Sequence, residues 1–285
     1  MLPRGYSIGP MAPGELPTLV AWARAEGWNP APGDLELAHR LDPDAFLALR
    51  YGGELVGTGT VFSYDGAFGF MGCFIVRPDR RGIGLGADLW YTRRDRMLER
   101  LRPGASVGMD GVFAMVPFYE RGGFRLAYRD LRFEGPARGE PDPTTVPLGS
   151  VPFSVLEAYD RAHVPAPRPA LLAGWLDRPG VSGVAVVEHD VVVGYGVRRP
   201  AHVGWRVGPL FADRPDVAER LLETLLAGVP GEQVQLDVPE PNGAGLALVA
   251  SLGFTESFGC ARMYLGPDPG LPTERIYGVT SFELG

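Results

Sequence analysis

The chain has 285 residues, of which 45% are hydrophobic, a length that exceeds an ordinary single core and predicts two domains. Its formal net charge of −7, without a clustered basic face, argues against nucleic acid or an anionic membrane as a partner and favours a small cationic or neutral substrate. It has neither an apolar run of spanning length nor a secretory signal, which predicts a cytoplasmic protein.

The first elements are a pair of helices followed by three strands. Residues 15–28 carry apolar side chains at helical spacing and predict an amphipathic helix, and a shorter helix is expected at 33–40. Strand-like runs at 45–53, 54–66 and 67–76 are separated by glycine-containing turn signals. This succession predicts an antiparallel meander.

The remainder of the first half alternates helices and strands. A glycine-rich turn leads into a helix at 86–101, which a proline at 103 closes. A strand at 106–112 and a short helix at 116–121 follow, and a strand at 125–133 is expected to close the first domain.

A change in composition predicts the boundary between two domains. Around 134–150 the sequence carries proline, glycine and charge without apolar periodicity, as linkers do. We therefore expect one domain at 1–135, a linker at 136–150 and a second domain at 151–285. The second half weakly repeats the first, with strands at 181–199 and 201–212, a helix at 214–229 and a strand and helix thereafter.

The most informative segment is a glycine-rich turn at the junction between the strand at 67–76 and the following helix. The turn consists of Arg81, Gly82, Ile83, Gly84, Leu85 and Gly86. Glycines allow consecutive backbone N–H groups to converge, and a helix start adds unpaired donors and the positive end of its dipole. The pattern predicts binding of a phosphate or pyrophosphate.

Three other kinds of structure share features of this glycine turn. A nucleotide P-loop is excluded because no Lys-Ser/Thr pair follows the last glycine. A dinucleotide fingerprint remains formally open, since Gly82, Gly84 and Ala87 fit its spacing. However, five residues intervene after the strand, and hairpin-like strands precede the turn where parallel units would be required. A plain turn that caps a helix also remains open.

Residues 76–86 fit V-x-P-x-x-R-x-x-G-x-G, and FYERGGF follows at 118–124. In both motifs the chain resembles the GNAT acetyltransferase superfamily, over about residues 5–133. The EGWNP stretch at 26–30 resembles the corresponding stretch of a bacterial GNAT subgroup whose members carry a second, degenerate GNAT-like domain. The resemblance implies an α+β fold of two tandem domains, each a mixed, mostly antiparallel sheet with splayed central strands flanked by helices.

The resemblance also implies the donor and the reaction. Acetyl-CoA is expected on the glycine turn, with backbone groups of Phe74, Ile75 and Val76 pairing with its pantetheine arm as an added strand would. The expected reaction is direct transfer to a small-molecule amine in a ternary complex, by a monomer or a homodimer. A non-catalytic acyl-CoA-binding regulatory module is the alternative.

Candidate catalytic and acceptor-binding residues follow from the resemblance. Tyr119 matches the family's usual general acid, which protonates the departing thiolate. The resemblance implies a general base that is either a carboxylate on one of the splayed strands or a water relayed to a distant group. No carboxylate lies in the 67–76 strand, and Asp110 and Glu26 are the candidates, each of which could instead be a solvated acid or a cap. The acceptor pocket is expected to include Trp28, Asn29 and Tyr64.

The remaining candidates favour structural roles. Cys73 and Cys260 are far apart in apolar stretches and are expected to be buried without a disulfide. The four histidines have no metal-ligand spacing, so no metal is expected and all four are predicted at the surface.

The second half is expected to lack a coenzyme site. Where the first half has its glycine turn, the second half has Asp213, Pro215 and Asp216, which would repel phosphate and remove a donor. Val249 stands where the first half has Tyr119. We therefore expect one coenzyme per chain.

Overall fold

The computed structural model describes residues 2–285. Elements of the first half are β1 (Tyr6–Pro10), α1 (Leu16–Ala25), α2 (Asp34–Leu41), β2 (Phe46–Tyr51), β3 (Glu54–Tyr64), β4 (Phe68–Val76), α3 (Leu85–Glu99), β5 (Ser106–Val112), α4 (Val116–Arg121) and β6 (Arg125–Pro136). Those of the second half are β7 (Thr145–Pro147), α5 (Phe153–Arg161), α6 (Pro169–Leu176), β8 (Ser182–Glu188), β9 (Val191–Pro200), β10 (Trp205–Ala212), α7 (Pro215–Ala227), β11 (Gln233–Pro239), α8 (Gly243–Ser251), β12 (Thr255–Leu265) and β13 (Ile276–Gly278).

The two halves share one continuous sheet. Its strand order is β1-β2-β3-β4-β5-β12-β6-β11-β10-β9-β8-β7, and β13 pairs with β10. The strand order of the first half is therefore interrupted by β12 from the second half, while β6 lies between β12 and β11. The strand expected at 125–133 pairs on both sides with strands of the second half, so the halves exchange β6 and β12.

Strands β4 and β5 separate after a short parallel stretch. They pair from Phe68 opposite Ser106 to Met71 opposite Met109, and no pairing continues beyond that point. A bulge in β4 contains Cys73, which has a φ of +50°. The gap between the diverging strands is the expected splay.

The buried side chain of Arg93 stabilises this bulge from the face of the sheet on which α3 packs. Its guanidinium donates to the carbonyl oxygens of Thr60 on β3 at 2.9 Å and Gly72 on β4 at 2.8 Å. Gly59 is small enough to admit the arginine, since a Cβ there would lie 2.2 Å from Arg93 Nε. Burial lowers the pKa of Arg93 to about 10, so the side chain stays charged at neutral pH.

The corresponding gap in the second half is filled by the chain itself. Strands β10 and β11 are parallel from Trp205 opposite Val234 to Val207 opposite Leu236. Beyond this point β13 pairs with β10 through Leu210 and Phe211. A strand of the protein thus lies where an extended ligand would otherwise add.

Core packing joins the halves rather than separating them. One apolar cluster contains residues of α1, α2, β2 and β4 together with residues of α5, α6, β9 and β10. Buried ion pairs also cross between the halves, including Arg132 of β6 with Asp237 of β11 at 2.6 Å and Arg199 of β9 with Asp34 of α2 at 3.2 Å. The predicted linker is packed too, since β7 pairs with β8.

Burial of both cysteines is confirmed, whereas the histidine prediction is wrong for one residue. His163 is buried, and its ring stacks on Phe211 with centroids 4.9 Å apart. Its Nδ1 lies 2.9 Å from the carbonyl oxygen of Tyr159, and burial lowers its pKa. Within residues 2–285, none of the helices has the length and apolar character needed to cross a membrane.

Candidate active site

The gap between β4 and β5 opens into a cleft, named here the β4–β5 cleft. Both halves of the chain contribute to its walls. They comprise Trp28, Met71, Gly72, Cys73, Phe74, Arg93, Met109, Asp110, Val112, Tyr119, Phe258, Cys260, Phe282 and Glu283. The cleft thus contains two of the predicted catalytic residues, Tyr119 and Asp110, and one predicted acceptor residue, Trp28. Four further lining residues come from the last 30 residues of the chain: Phe258, Cys260, Phe282 and Glu283.

The glycine turn lies at the N-terminus of α3, adjacent to β4. Gly82 and Gly84 adopt φ values of +80° and +90°, which other residues rarely adopt. A Cβ at either position would meet open space, so the backbone is accessible to a ligand. The N–H groups from Gly82 to Gly86 donate no hydrogen bond to any residue in 2–285. The arrangement offers consecutive donors to an anion.

Arg81 connects this turn to the loop that follows α1. Its Nε donates to the Val76 carbonyl oxygen at 2.7 Å, and its Nη2 pairs with Glu26. The Glu26 carboxylate is therefore directed to the turn, and Glu26 does not line the β4–β5 cleft. The structure does not bring this candidate base to Tyr119.

Tyr119 of α4 lines the cleft with a buried ring. Its ring stacks on Trp90 at a centroid distance of 6.1 Å, and it fits against Gly111, where a Cβ would lie 2.4 Å from the ring. Its hydroxyl forms no hydrogen bond with the rest of the described chain, 2–285. Burial raises the pKa of Tyr119 to about 12, despite the opposing influence of Arg93, so the phenol holds its proton at neutral pH.

Asp110 also lines the cleft, but both its oxygens are engaged. They accept from Arg262 of β12 at 2.7 and 2.8 Å, and Asp130 of β6 lies 3.2 Å from the same guanidinium. Burial raises the pKa of Asp110 and raises that of Asp130 further, while Arg262 opposes both shifts. This cluster ties the exchanged strands together.

The three predicted acceptor residues have different surroundings. Trp28 lines the cleft, and its carbonyl oxygen accepts from Arg132 at 2.8 Å. Asn29 is directed to the second half, where its side-chain amide donates to Val203 at 3.0 Å and to Gln235 at 2.9 Å. Tyr64 is buried, and its hydroxyl donates to the carbonyl oxygen of Leu284. Asn29 and Tyr64 therefore do not line the β4–β5 cleft, and their side chains contact residues far along the chain.

Sequence reasoning missed the residues that the second half supplies. Phe258 and Cys260 reach the cleft because β12 lies beside β5, and Phe282 and Glu283 reach it on the C-terminal tail, residues 279–285. Most of this tail is buried. The run of apolar residues near the end of the chain is a signal of burial, but nothing in the pattern indicates the cleft.

The turn of the second half has other partners. Asp213 accepts from Tyr159 at 2.7 Å and pairs with Arg275, while Arg214 pairs with Asp216 and Glu188. The helix that follows begins with a proline, which has no N–H to donate. This turn lacks the row of free donors found at the first.

Comparisons with known proteins agree with this geometry. The model for the "Acetyltransferase (GNAT) family" matches residues 15–124, and that for an "Acetyltransferase (GNAT) domain" matches residues 156–278. A holothin acyltransferase from Pseudoalteromonas sp. (strain SANK 73390) is 31% identical over 268 residues, which cover 93% of this chain and 89% of that relative. The chain belongs to the GNAT acetyltransferase family. It is an acyltransferase with tandem GNAT domains.

Solved structures of GNAT proteins share the fold over nearly the whole chain. A candidate acetyltransferase from Pyrococcus horikoshii superposes with a TM-score of 0.84 at 21% identity, covering 100% of this chain and 98% of that one. A tandem GNAT protein from the clavulanic acid biosynthesis pathway superposes with a TM-score of 0.62 at 17% identity, covering 92% and 99%. The tandem α+β architecture predicted from the sequence is confirmed.

Proposed function

We propose that this GNAT acyltransferase transfers an acetyl group from acetyl-CoA to the amine of a small molecule. The observation that carries the proposal is the protonated, unpartnered hydroxyl of Tyr119 in the cleft where β4 no longer pairs with β5. A proton donor beside an open strand edge suits a thioester whose leaving group is a thiolate. A module that only bound the coenzyme would have no use for this hydroxyl.

The donor is proposed to lie between the glycine turn and the cleft. The free N–H groups from Gly82 to Gly86 suit its pyrophosphate, and the helix dipole of α3 adds to their effect. The backbone of Phe74, Ile75 and Val76 is the edge along which its pantetheine arm would pair as an added strand. Arg81, held by Glu26, would then orient the edge at Val76.

The residues have distinct roles in the proposed reaction. A neutral amine nitrogen attacks the thioester carbonyl carbon and forms the C–N bond, the C–S bond breaks, and the sulfur takes the hydroxyl proton of Tyr119. A proton lost from the nitrogen then restores the phenol. The carboxylates of Asp110 and Glu26 are each engaged by an arginine. We therefore assign Asp110 to fixing β12 beside β5, and Glu26 to positioning Arg81, rather than either to the role of general base.

The shape of the cleft favours a small acceptor. Trp28, Phe258 and Phe282 contribute aromatic surface, and the C-terminal tail closes one side. A relative of this chain is named a holothin acyltransferase, and a tandem protein of the same fold comes from the clavulanic acid biosynthesis pathway. Both are consistent with a small-molecule acceptor for this chain.

One active site per chain is proposed, built mainly by the unit at 1–135 and walled by the unit at 151–285. The division at 136–150 agrees with the separate matches to residues 15–124 and 156–278. The second unit contributes the β12 and tail residues of the cleft, and its own gap is filled by β13.

The proposal is tested by a thiol-release screen with acetyl-CoA against amino acids, polyamines, aminoglycosides, arylalkylamines and peptides. We expect turnover with small amines and a product mass increased by one acetyl group. Treatment of the product with hydroxylamine distinguishes an amide, which resists it, from an ester, which does not. Turnover confined to alcohols or peptides, or coenzyme binding without any turnover, would contradict the proposal.

A further inference from the structure

The C-terminal tail continues directly from the strand that fills the second gap to the wall of the first cleft. Arg199 Nη2 donates to the Thr280 carbonyl oxygen at 3.1 Å, and Arg168 Nη1 donates to the Thr280 hydroxyl at 2.7 Å. Ser281 Oγ accepts from the N–H groups of Glu283 and Leu284, each at 3.2 Å. These contacts fix the backbone of Glu283 against the β4 bulge.

The close fit at the bulge determines where the backbone of Glu283 lies. A Cβ at Gly72 would lie 2.6 Å from the Glu283 carbonyl oxygen, so the tail packs directly on β4 where the cleft begins. The Glu283 residue is only 5% exposed, and it lines the β4–β5 cleft together with Tyr119. Its carboxylate lies close to the cleft wall, since burial and, after it, the charge of Glu283 raise the pKa of the Cys73 thiol.

Glu283 differs from every other buried acid among residues 2–285. Asp34, Asp130, Asp160 and Asp237 each have an arginine nitrogen within 4.0 Å, as does the side chain of Asp110. The carboxylate of Glu283 has neither an ion pair nor a hydrogen bond within this part of the chain, and its Oε2 is buried. All three nitrogens of the nearby Arg199 guanidinium donate elsewhere. Arg93 and Arg206 each keep an unpartnered nitrogen, but neither forms an ion pair with Glu283.

An unpaired buried carboxylate is costly because its hydration is lost without compensation. A cation that enters the cleft would supply the missing partner, and an alkylammonium group both pairs with a carboxylate and is the protonated form of an amine nucleophile. The aromatic faces of Trp28, Phe258 and Phe282 lie around the same cleft and suit a flat, apolar body.

We propose that Glu283 binds the amino group of the acceptor and accepts its proton during transfer, and that the acceptor is a primary amine carried on a flat apolar body. This inference rests on the proposed acetyl transfer. The ammonium first loses one proton to solvent, and its nitrogen then attacks the thioester carbon. As the C–N bond forms and the C–S bond breaks, Glu283 takes a second proton from nitrogen and Tyr119 gives one to sulfur. Transfer of a proton from Glu283 to Tyr119 through solvent restores both groups.

The test compares Glu283→Gln with the parent enzyme, using acetyl-CoA and 2-phenylethylamine. Glutamine keeps the shape of the side chain but neither pairs with an ammonium nor accepts a proton. We expect kcat/KM for the amine to fall by about 10²-fold or more, with KM raised as well as kcat lowered. Calorimetric affinity for coenzyme A should remain within about twofold, because Glu283 lies off the glycine turn.

The matched control is Glu274→Gln, which changes an exposed glutamate just before β13 and should leave all parameters at parental values. A second variant, Glu283→Asp, keeps the charge but withdraws it by one methylene group. It should retain part of the activity that Glu283→Gln loses, and it serves if the glutamine variant fails to fold. A purely structural glutamate would instead lower the melting temperature and coenzyme affinity with no recovery of turnover in the aspartate variant.

The two proposals fail separately. If the parent acetylates 2-phenylethylamine and both Glu283 variants do so at the parental kcat/KM, the role of Glu283 is overturned and the function stands. If the parent binds 2-phenylethylamine in the presence of coenzyme A without turnover, and Glu283→Gln abolishes binding, the recognition role stands and the function is overturned. If the parent neither binds nor acetylates this amine while it acetylates aliphatic polyamines, the proposed substrate class is overturned.

Discussion

At the level of single residues, Tyr119 and the acids around it differ in whether they hold a proton and in whether they have a partner. Its phenol has a raised pKa of about 12 and no bonding partner among residues 2–285, whereas Asp110 is occupied by Arg262. A proton donor must hold its proton until the leaving group needs it. Burial beside Trp90 and Gly111 provides that condition.

Removal of the Tyr119 hydroxyl should slow the chemical step. In Tyr119→Phe we expect kcat to fall about 10²-fold with little change in coenzyme affinity, because the ring and its packing remain. Tyr119 stays protonated at every pH well below 12, so it should produce no decline of kcat between about pH 8 and pH 10. Steady-state thiol release across this range checks both expectations.

The control for that variant is Tyr91→Phe, which removes a hydroxyl from a more exposed tyrosine on α3. It should leave kcat unchanged. A Tyr119→Phe enzyme with the parental kcat, under conditions where chemistry limits the rate, would assign Tyr119 to packing alone.

The sequence predicts the positions of motif residues better than those of residues whose contacts lie far along the chain. Motif positions have local geometry that the sequence reports: Gly84 has a positive φ at the start of α3, and Tyr119 lines the cleft. Asn29 and Tyr64 have partners more than 170 residues away in the chain, at Val203 and Leu284. No local pattern reports such partners.

At the scale of elements, the glycine turn and α3 form one anion-binding unit. The helix starts at Leu85 with no side-chain cap, so its first N–H groups and those of the turn remain available together. A side chain at Gly84 would intrude into the space in front of these donors.

The variant Gly84→Asp should lose coenzyme binding. It adds a side chain and a negative charge where phosphate is proposed to lie, and it strains a backbone with a φ of +90°. The control is Gly104→Asp, which places the same residue at a similar φ of +83°, in another open turn. We expect calorimetry to detect coenzyme A binding in the control and none in Gly84→Asp. Equal affinity in two folded variants would contradict this placement of the coenzyme.

Most elements were predicted because their periodicity is strong. Strands β2, β3, β4 and β5 and helices α1, α2, α3 and α4 occur where the sequence predicts them, within a few residues at their ends. Elements with weak or short patterns were missed, among them β1, α5, α6 and β13. A three-residue strand such as β13 is too short to show periodicity, although it fills the gap between β10 and β11.

At the scale of the whole molecule, the halves are joined by exchanged strands and buried ion pairs. Asp237 of β11 pairs with Arg132 of β6 at 2.6 Å and also with Arg206 of β10. Burial alone would raise the pKa of Asp237, but the two arginines outweigh it and hold the pKa at about 2. The carboxylate therefore stabilises the folded chain wherever it is ionised.

The variant Asp237→Asn should destabilise the protein at neutral pH by about 3 to 5 kcal/mol, because it leaves two buried arginines without their anion. The parental contribution is fully present above about pH 4 and is lost as the pH falls through 2, so the difference between the two proteins should narrow in acid. Urea unfolding at pH 7, 4 and 3 measures this. The exposed pair of Arg129 with Glu240 gives the control, since Glu240→Gln should cost less than about 1 kcal/mol. A constant difference across this pH range would contradict the assignment.

The exchange of β6 and β12 could not be predicted from the sequence. Both strands bury a run of consecutive residues rather than alternate ones. Even a clear strand pattern fixes which face is buried but not which neighbour the strand pairs with. The weak internal repeat correctly indicated two tandem units, yet the shared core and the tail in the first cleft arise only from how the units pack.

The central claim is that one chain carries one coenzyme site, at the β4–β5 cleft, and that the second has been filled by β13. Isothermal titration of the intact chain with coenzyme A tests it most directly. We expect a stoichiometry near one per chain, because the turn before α7 has carboxylates and a proline, and the gap between β10 and β11 already holds β13. A stoichiometry near two, or binding that survives Gly84→Asp, would contradict it.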